Sequence, residues 1–170
     1  MIANSFRKIT IKPINPLSIY IHWPFCQAKC PYCDFNSHVR QAIHQDEWTR
    51  AYIKTLQYWA KRLPDNQISS IFFGGGTPSL MSERTIDKIL TSIQKLWNCQ
   101  SDIEISLEAN PTSVEARKFK SFRESGINRI SMGIQALNDK DLKRLGRLHS
   151  AKEAKKALDI AKKTFSNVSF

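Results

Sequence analysis

Apolar positions along this chain fall into two alternating rhythms. Short runs rich in β-branched and aromatic residues read as strands: 17–23 (LSIYIHW), 68–73 (ISSIFF), 103–107 and 127–134. Between them, apolar residues recur every three or four positions, the period of a helix with one buried face. Trp48, Tyr52, Leu56, Trp59 and Leu63 predict a helix over 45–63, ended by Pro64 and Asp65. Ile86, Ile89, Leu90, Ile93, Leu96 and Trp97 predict a second, with Ser82 as its N-cap. Thr112 and Glu115 have capping-box spacing and open a third, which closes at Gly126. A short basic helix over 139–146 precedes a longer one with Ala151, Ala154, Leu158, Ala161 and Phe165 on one face, and residues 167–170 begin a fifth strand.

Strands alternating with helices imply an α/β fold, its strands parallel and joined by right-handed crossovers. A doubly wound sheet and a (β/α) barrel both satisfy this pattern. Residues 1–16, closed by Pro13 and Pro16, read as an N-terminal tail, and residues 17–170 as one domain. A strand cut off after four residues leads us to expect a chain truncated after about four and a half βα units.

Composition narrows the function classes. No run of about 18 apolar residues is present, and the first residues lack the apolar segment of a secretory signal, so a cytoplasmic protein is expected. The net charge is +11 and the isoelectric point about 9.7. The excess is concentrated late, at Lys140, Lys143, Arg144, Arg147, Lys152, Lys155, Lys156, Lys162 and Lys163. No aromatic interleaving or nucleic-acid motif accompanies these residues, so solvated helix faces are expected and no nucleic-acid partner. Of the four cysteines, Cys26, Cys30 and Cys33 fall within eight residues and Cys99 stands alone. A tight cluster in a protein of this kind points to metal rather than to disulfides.

Thiolates are soft ligands suited to iron–sulfur clusters or zinc. Structural zinc takes four ligands, so a zinc site here would recruit His38 or His22. A four-iron cube held by three thiolates instead keeps one iron open for a small molecule. The run Gly74-Gly75-Gly76-Thr77-Pro78 follows the second strand and would let a ligand approach the backbone closely; it is neither a dinucleotide fingerprint nor a P-loop. Glu108, in Glu108-Ala109-Asn110-Pro111, follows the third strand and Gln135 the fourth. In parallel α/β folds ligands bind at the carboxyl ends of strands, where all these features are expected to lie. Arg147 could meet a carboxylate there.

Together, Cys26-x-x-x-Cys30-x-x-Cys33 and the glycine run resemble the radical S-adenosylmethionine (SAM) superfamily. More narrowly, Tyr20-x-His22-x-Pro24-Phe25-Cys26, Cys30-Pro31-Tyr32-Cys33, GGGTPSL, SLEANP and SMGIQ resemble the oxygen-independent coproporphyrinogen III oxidase group. The decarboxylating branch carries a further cysteine two residues after the third. Here that place is Phe35, and HWPFCQAKCPYCDFNSH looks like the heme chaperone branch, HemW. The resemblance implies a [4Fe–4S] cluster on Cys26, Cys30 and Cys33. It implies that Tyr20, Gly75 and Glu108 contact the cluster-bound SAM. Tyr32, Gly76, Thr77, Gln135 and Arg147 match positions that hold a second SAM in the oxidase. It implies a partial (β/α)6 barrel, and a parent of about twice this length that binds heme and passes it to membrane respiratory proteins. Cys99 has no role in this scheme.

Overall fold

The computed structural model describes residues 15–40 and 42–170. Of the expected tail, residues 1–14 lie outside the described residues, while Asn15 and Pro16 belong to the first strand. In chain order the elements are β1 (Asn15–Trp23), β2 (Phe25–Cys26), β3 (His38–Val39), α1 (Gln45–Ala60), β4 (Asn66–Gly75), a 3-10 turn (Pro78–Leu80), α2 (Glu83–Leu96), β5 (Asn98–Ala109), α3 (Ser113–Ala116), α4 (Phe119–Glu124), β6 (Arg129–Met132), α5 (Asp139–Arg144), α6 (Ala151–Thr164) and β7 (Asn167–Ser169).

One parallel sheet carries the fold, in the order β1-β4-β5-β6-β7, and a small parallel pair, β2 with β3, stands beside it. Strand order follows chain order without a reversal. A doubly wound sheet needs a reversal, whereas a (β/α) barrel winds in one sense. The structure therefore decides between the two architectures in favour of a partial barrel wall.

The strand periodicity explains the two faces. Ile21, Phe73, Leu107 and Ile130 are buried, and the register carries them across the sheet in one row. They join Trp23, Ile71, Ile105 and Met132 beneath Leu56, Ile86, Ile89, Ile93, Phe119, Phe122, Ala157 and Ala161 of the helices. Burying each large apolar side chain contributes roughly 1.5–3 kcal/mol. The alternate row, Tyr20–Phe72–Ser106–Arg129, faces the other side and is largely polar. In a barrel that side is the interior.

Three elements differ from the pattern. The third helix is two short helices, α3 and α4, with Lys118 between them. There the Lys118 ammonium donates to the carbonyls of Ser79 and Met81, both at 3.3 Å. β5 starts at Asn98, before its apolar stretch, and absorbs residues 100–103, the first three of them polar, in a register shift opposite Ile68–Ser70. β4 runs through Gly74 and Gly75, because both still pair with β1.

Candidate metal centre and ligand cleft

The parallel strands deliver their carboxyl ends to one rim, and the loops that follow them enclose a cleft of about 340 Å³. Its lining includes Cys26, Cys30, Cys33, Tyr32, Gly75, Gly76, Thr77, Glu108, Gln135 and Arg147. The site residues singled out from the sequence thus come together, with the exception of Tyr20. Tyr20 lies on the polar face of β1, 57% exposed, its ring stacked on Phe72 and its hydroxyl 3.4 Å from His22 Nδ1. Partial burial and the Glu108 charge hold its hydroxyl above its ordinary pKa.

The cysteine loop has little regular structure of its own and is tied at several points. His38 N donates to Pro24 O at 2.7 Å, closing the loop beside the β2–β3 pair, and Cys33 N donates to Cys30 O at 3.1 Å. Inside it, the Lys29 ammonium reaches Phe35 O at 2.8 Å and Ser37 Oγ at 3.0 Å. Sequence reasoning missed this lysine; its place between two cysteines was the available signal.

Both imidazoles that a zinc site would recruit are tied to Asn36: His22 Nε2 pairs with Asn36 O at 3.0 Å and His38 Nε2 with Asn36 Oδ1 at 3.2 Å. A four-iron cube takes each thiolate on a different iron, and Cys26, Cys30 and Cys33 all line the same cleft.

The glycine run is stitched to the start of the cysteine loop: Gly76 N donates to Trp23 O at 2.7 Å and Thr77 N to Phe25 O at 2.8 Å. A Cβ on Gly76 would stand 2.6 Å from Phe25 O and 3.0 Å from Cys26 Sγ, so the backbone there presses on the first cysteine. Gly75 N donates to Glu108 Oε2 at 3.3 Å. Burial pushes the Glu108 carboxyl above its ordinary pKa, only partly offset by that bond. Gln135 takes a left-handed backbone conformation, with φ 72, unusual outside glycine.

Two residues to which the sequence assigned no part in the site organise this rim. Asn110 donates through Nδ2 to Thr77 Oγ1 at 3.2 Å and accepts from Arg147 Nη2 at 2.6 Å. Glu115, expected to close a capping box, receives only half of it: Glu115 N donates to Thr112 Oγ1 at 3.3 Å. Its carboxylate turns instead to Asn110 N, at 2.9 Å, and to the Ser79 hydroxyl. Those partners come from the loops after β4 and β5. Phe35 stands on the rim, 63% exposed. Cys99 lies in β5 away from the cleft, with burial raising its thiol pKa. Lys152, Lys155, Lys156, Lys162 and Lys163 are exposed on α6, as a solvated face requires.

A profile of the radical SAM superfamily matches residues 20–170. The chain is similar to the heme chaperone HemW of Haemophilus influenzae, 49% identical over 154 residues that make up 88% of this chain and 40% of that protein. It is also similar to the Escherichia coli HemW, at 42% over 149 residues, 87% of this chain and 39% of that protein. Among solved structures, E. coli coproporphyrinogen III oxidase (HemN), described as a radical SAM enzyme, superimposes with a TM-score of 0.83 at 27% identity. That match covers 92% of this chain and 37% of the oxidase. The chain thus spans about two fifths of the length of these HemW relatives.

Proposed function

The chain belongs to the radical SAM superfamily, and from that premise we propose that Cys26, Cys30 and Cys33 hold a [4Fe–4S] cluster and that SAM occupies the adjoining cleft. The observation that carries this reading is the wall shared by the three thiols and the Gly75-Gly76 backbone, with Gly76 packed against Cys26. When bound, the cluster would supply one-electron chemistry and an open iron position for SAM.

The chain's own residues then bind and orient. Gly75 and Gly76 keep the cleft free of side chains beside the cluster position. Glu108 offers a carboxylate oxygen toward the SAM amino group, while Tyr20, outside the cleft lining, is coupled to it through the Glu108 charge. Tyr32, Thr77 and Gln135 line the space that a second SAM would take. The surrounding loops limit the access of water to a site where radical chemistry would otherwise be quenched.

For a protein of the relatives' full length that carries this domain we propose heme handling of the HemW kind, with delivery to membrane respiratory proteins. Its support is the identity to two HemW chaperones and Phe35 in the place of the additional cysteine. No helix among the described residues is long and apolar enough to cross a membrane, and a cytoplasmic location suits a soluble carrier. Coproporphyrinogen decarboxylation is the second reading, favoured by the superposition on HemN.

The chain purified anaerobically and reconstituted with iron and sulfide is expected to turn brown, absorb near 400 nm and lose that absorbance in the triple Cys→Ser variant. Zinc bound without iron would sink the cluster reading. Incubating the full-length protein with coproporphyrinogen, SAM and reductant is expected to leave the substrate unchanged, while a heme titration gives a bound-heme spectrum. Formation of protoporphyrinogen would replace the chaperone reading with the decarboxylase.

A further inference from the structure

Arg147 matches a position that holds SAM in the oxidase, and both of its terminal nitrogens already have protein partners. Nη2 donates to Asn110 Oδ1 and to Gly133 O, both at 2.6 Å. Nη1 donates to Cys30 Sγ at 3.4 Å, across a separation of 117 residues. Both Nη2 hydrogens are thereby committed to fixed acceptors, while Nε is buried without a partner among the described residues and remains available to a ligand.

The residue before it adds a second contact to the same segment. Gly146 takes a φ of +68, and a Cβ there would lie 2.9 Å from Pro31 Cδ. The backbone therefore rests against the proline that follows Cys30. Both residues are anchored to the end of α5, Gly146 N donating to Lys143 O at 3.1 Å and Arg147 N to Leu142 O at 2.9 Å. Gly133 leaves room opposite: a Cβ on it would stand 3.4 Å from Arg147 Nη2.

We infer that Gly146 and Arg147 form a clasp that fastens the Cys30–Pro31 segment to the sheet and tunes the cluster this segment would hold, which gives Arg147 a positioning role at the metal centre besides the SAM contact its position implies. The inference rests on the cluster reading above. Among the described residues, Cys30 is the one cysteine of the three that receives a hydrogen bond from a cation. An N–H donated to a ligand sulfur, with a positive charge behind it, stabilises the more negative reduced state of an iron–sulfur cluster and raises its potential.

The test is a redox titration of the anaerobically reconstituted chain without SAM, followed by electron paramagnetic resonance, alongside iron release to a chelator and SAM binding by calorimetry. Arg147→Gln is expected to move the midpoint potential to more negative values, alter the reduced-state resonance and speed iron release several-fold. Arg147→Lys keeps the charge without the fork and should fall between the two. Asn110→Ala loosens the anchor while sparing the cation, so it should speed iron release with a smaller potential change; it serves if Arg147→Gln misfolds by circular dichroism. Unchanged potential and iron retention in Arg147→Gln, with or without weaker SAM binding, would overturn the clasp. A wild-type chain that takes up no iron would overturn the cluster reading itself, and the clasp with it.

Discussion

Glu115 illustrates how one residue can be read correctly in type and wrongly in role. Its spacing from Thr112 is that of a capping box, and the Thr112 half of the box forms. The carboxylate nevertheless bridges Ser79 and Asn110, 2% exposed, with Oε1 buried and lacking a hydrogen-bond partner. Burial raises its pKa above the ordinary 4.5, and the bonds from Ser79 and Asn110 and the charge of Lys118 offset this only in part. A carboxyl whose folded-state pKa is raised binds its proton more tightly in the folded chain. Its stabilising contribution is full below the unfolded value and is lost as pH rises through the folded one. Wild type should therefore lose stability relative to Glu115→Gln as pH climbs from about 4.5 toward neutrality. Urea melts of both proteins at three pH values check this; parallel pH dependences would show that the buried carboxyl does not titrate in that window. Comparing the pair also cancels Glu104 and Glu153, whose lowered pKa values act in the opposite direction.

What was legible at this scale follows from sequence distance. The three cysteines sit in one loop and the glycines in one run, so local spacing is enough to recognise them. The contacts Asn110–Thr77, Glu115–Ser79 and Arg147–Cys30 span 33, 36 and 117 residues, and only the register of the sheet brings those loops together. A polar residue near a strand end is visible in the sequence; its partner is not.

At the level of elements, helix-start chemistry and apolar periodicity report different things. Ser82 caps α2, its hydroxyl oxygen accepting from Thr85 N at 3.1 Å. In α6 the box is complete: Ser150 Oγ accepts from Glu153 N at 3.2 Å, and Ser150 N donates to Glu153 Oε2 at 2.9 Å. Between Thr112 and Gly126 the same kind of signal bracketed a single helix across the break at Lys118, on both sides of which Ala116, Phe119 and Phe122 are buried at helical spacing. Apolar spacing reports which face is covered, and a short interruption leaves that face intact. The cap of α6 makes a measurable contribution. Ser150→Ala removes the acceptor for Glu153 N and should cost about 1 kcal/mol of unfolding free energy. Equilibrium urea denaturation would register it as a lower midpoint with an unchanged slope. A loss well below this would mean that water replaces the serine oxygen at the exposed helix start.

The whole molecule is a single-wound parallel sheet with one apolar face under helices and one polar face. That division follows from the strand periodicity, but the strand order does not: both a barrel and a doubly wound sheet bury alternating apolar positions, and the absence of a reversal appears only when the strands are paired. Among the described residues β1 and β7 each have one neighbour in the sheet. Their outer backbone groups lack the partners that a closed barrel would supply, and unpaired parallel edges are templates for association. Against this works a net charge of +11, which holds copies of the chain apart. The two effects separate with ionic strength. The screening length falls from about 10 Å at 0.1 M salt to about 3 Å at 1 M, so repulsion fades while edge pairing, a short-range hydrogen-bonded contact, persists. The chain on its own should therefore sediment as a monomer at low salt and form concentration-dependent oligomers as salt is raised. Assembly driven by ion pairs would respond with the opposite sign, dissolving in high salt. A chain that remains monomeric at every salt and protein concentration would mean that the twist and side chains of β1 and β7 already shield both edges.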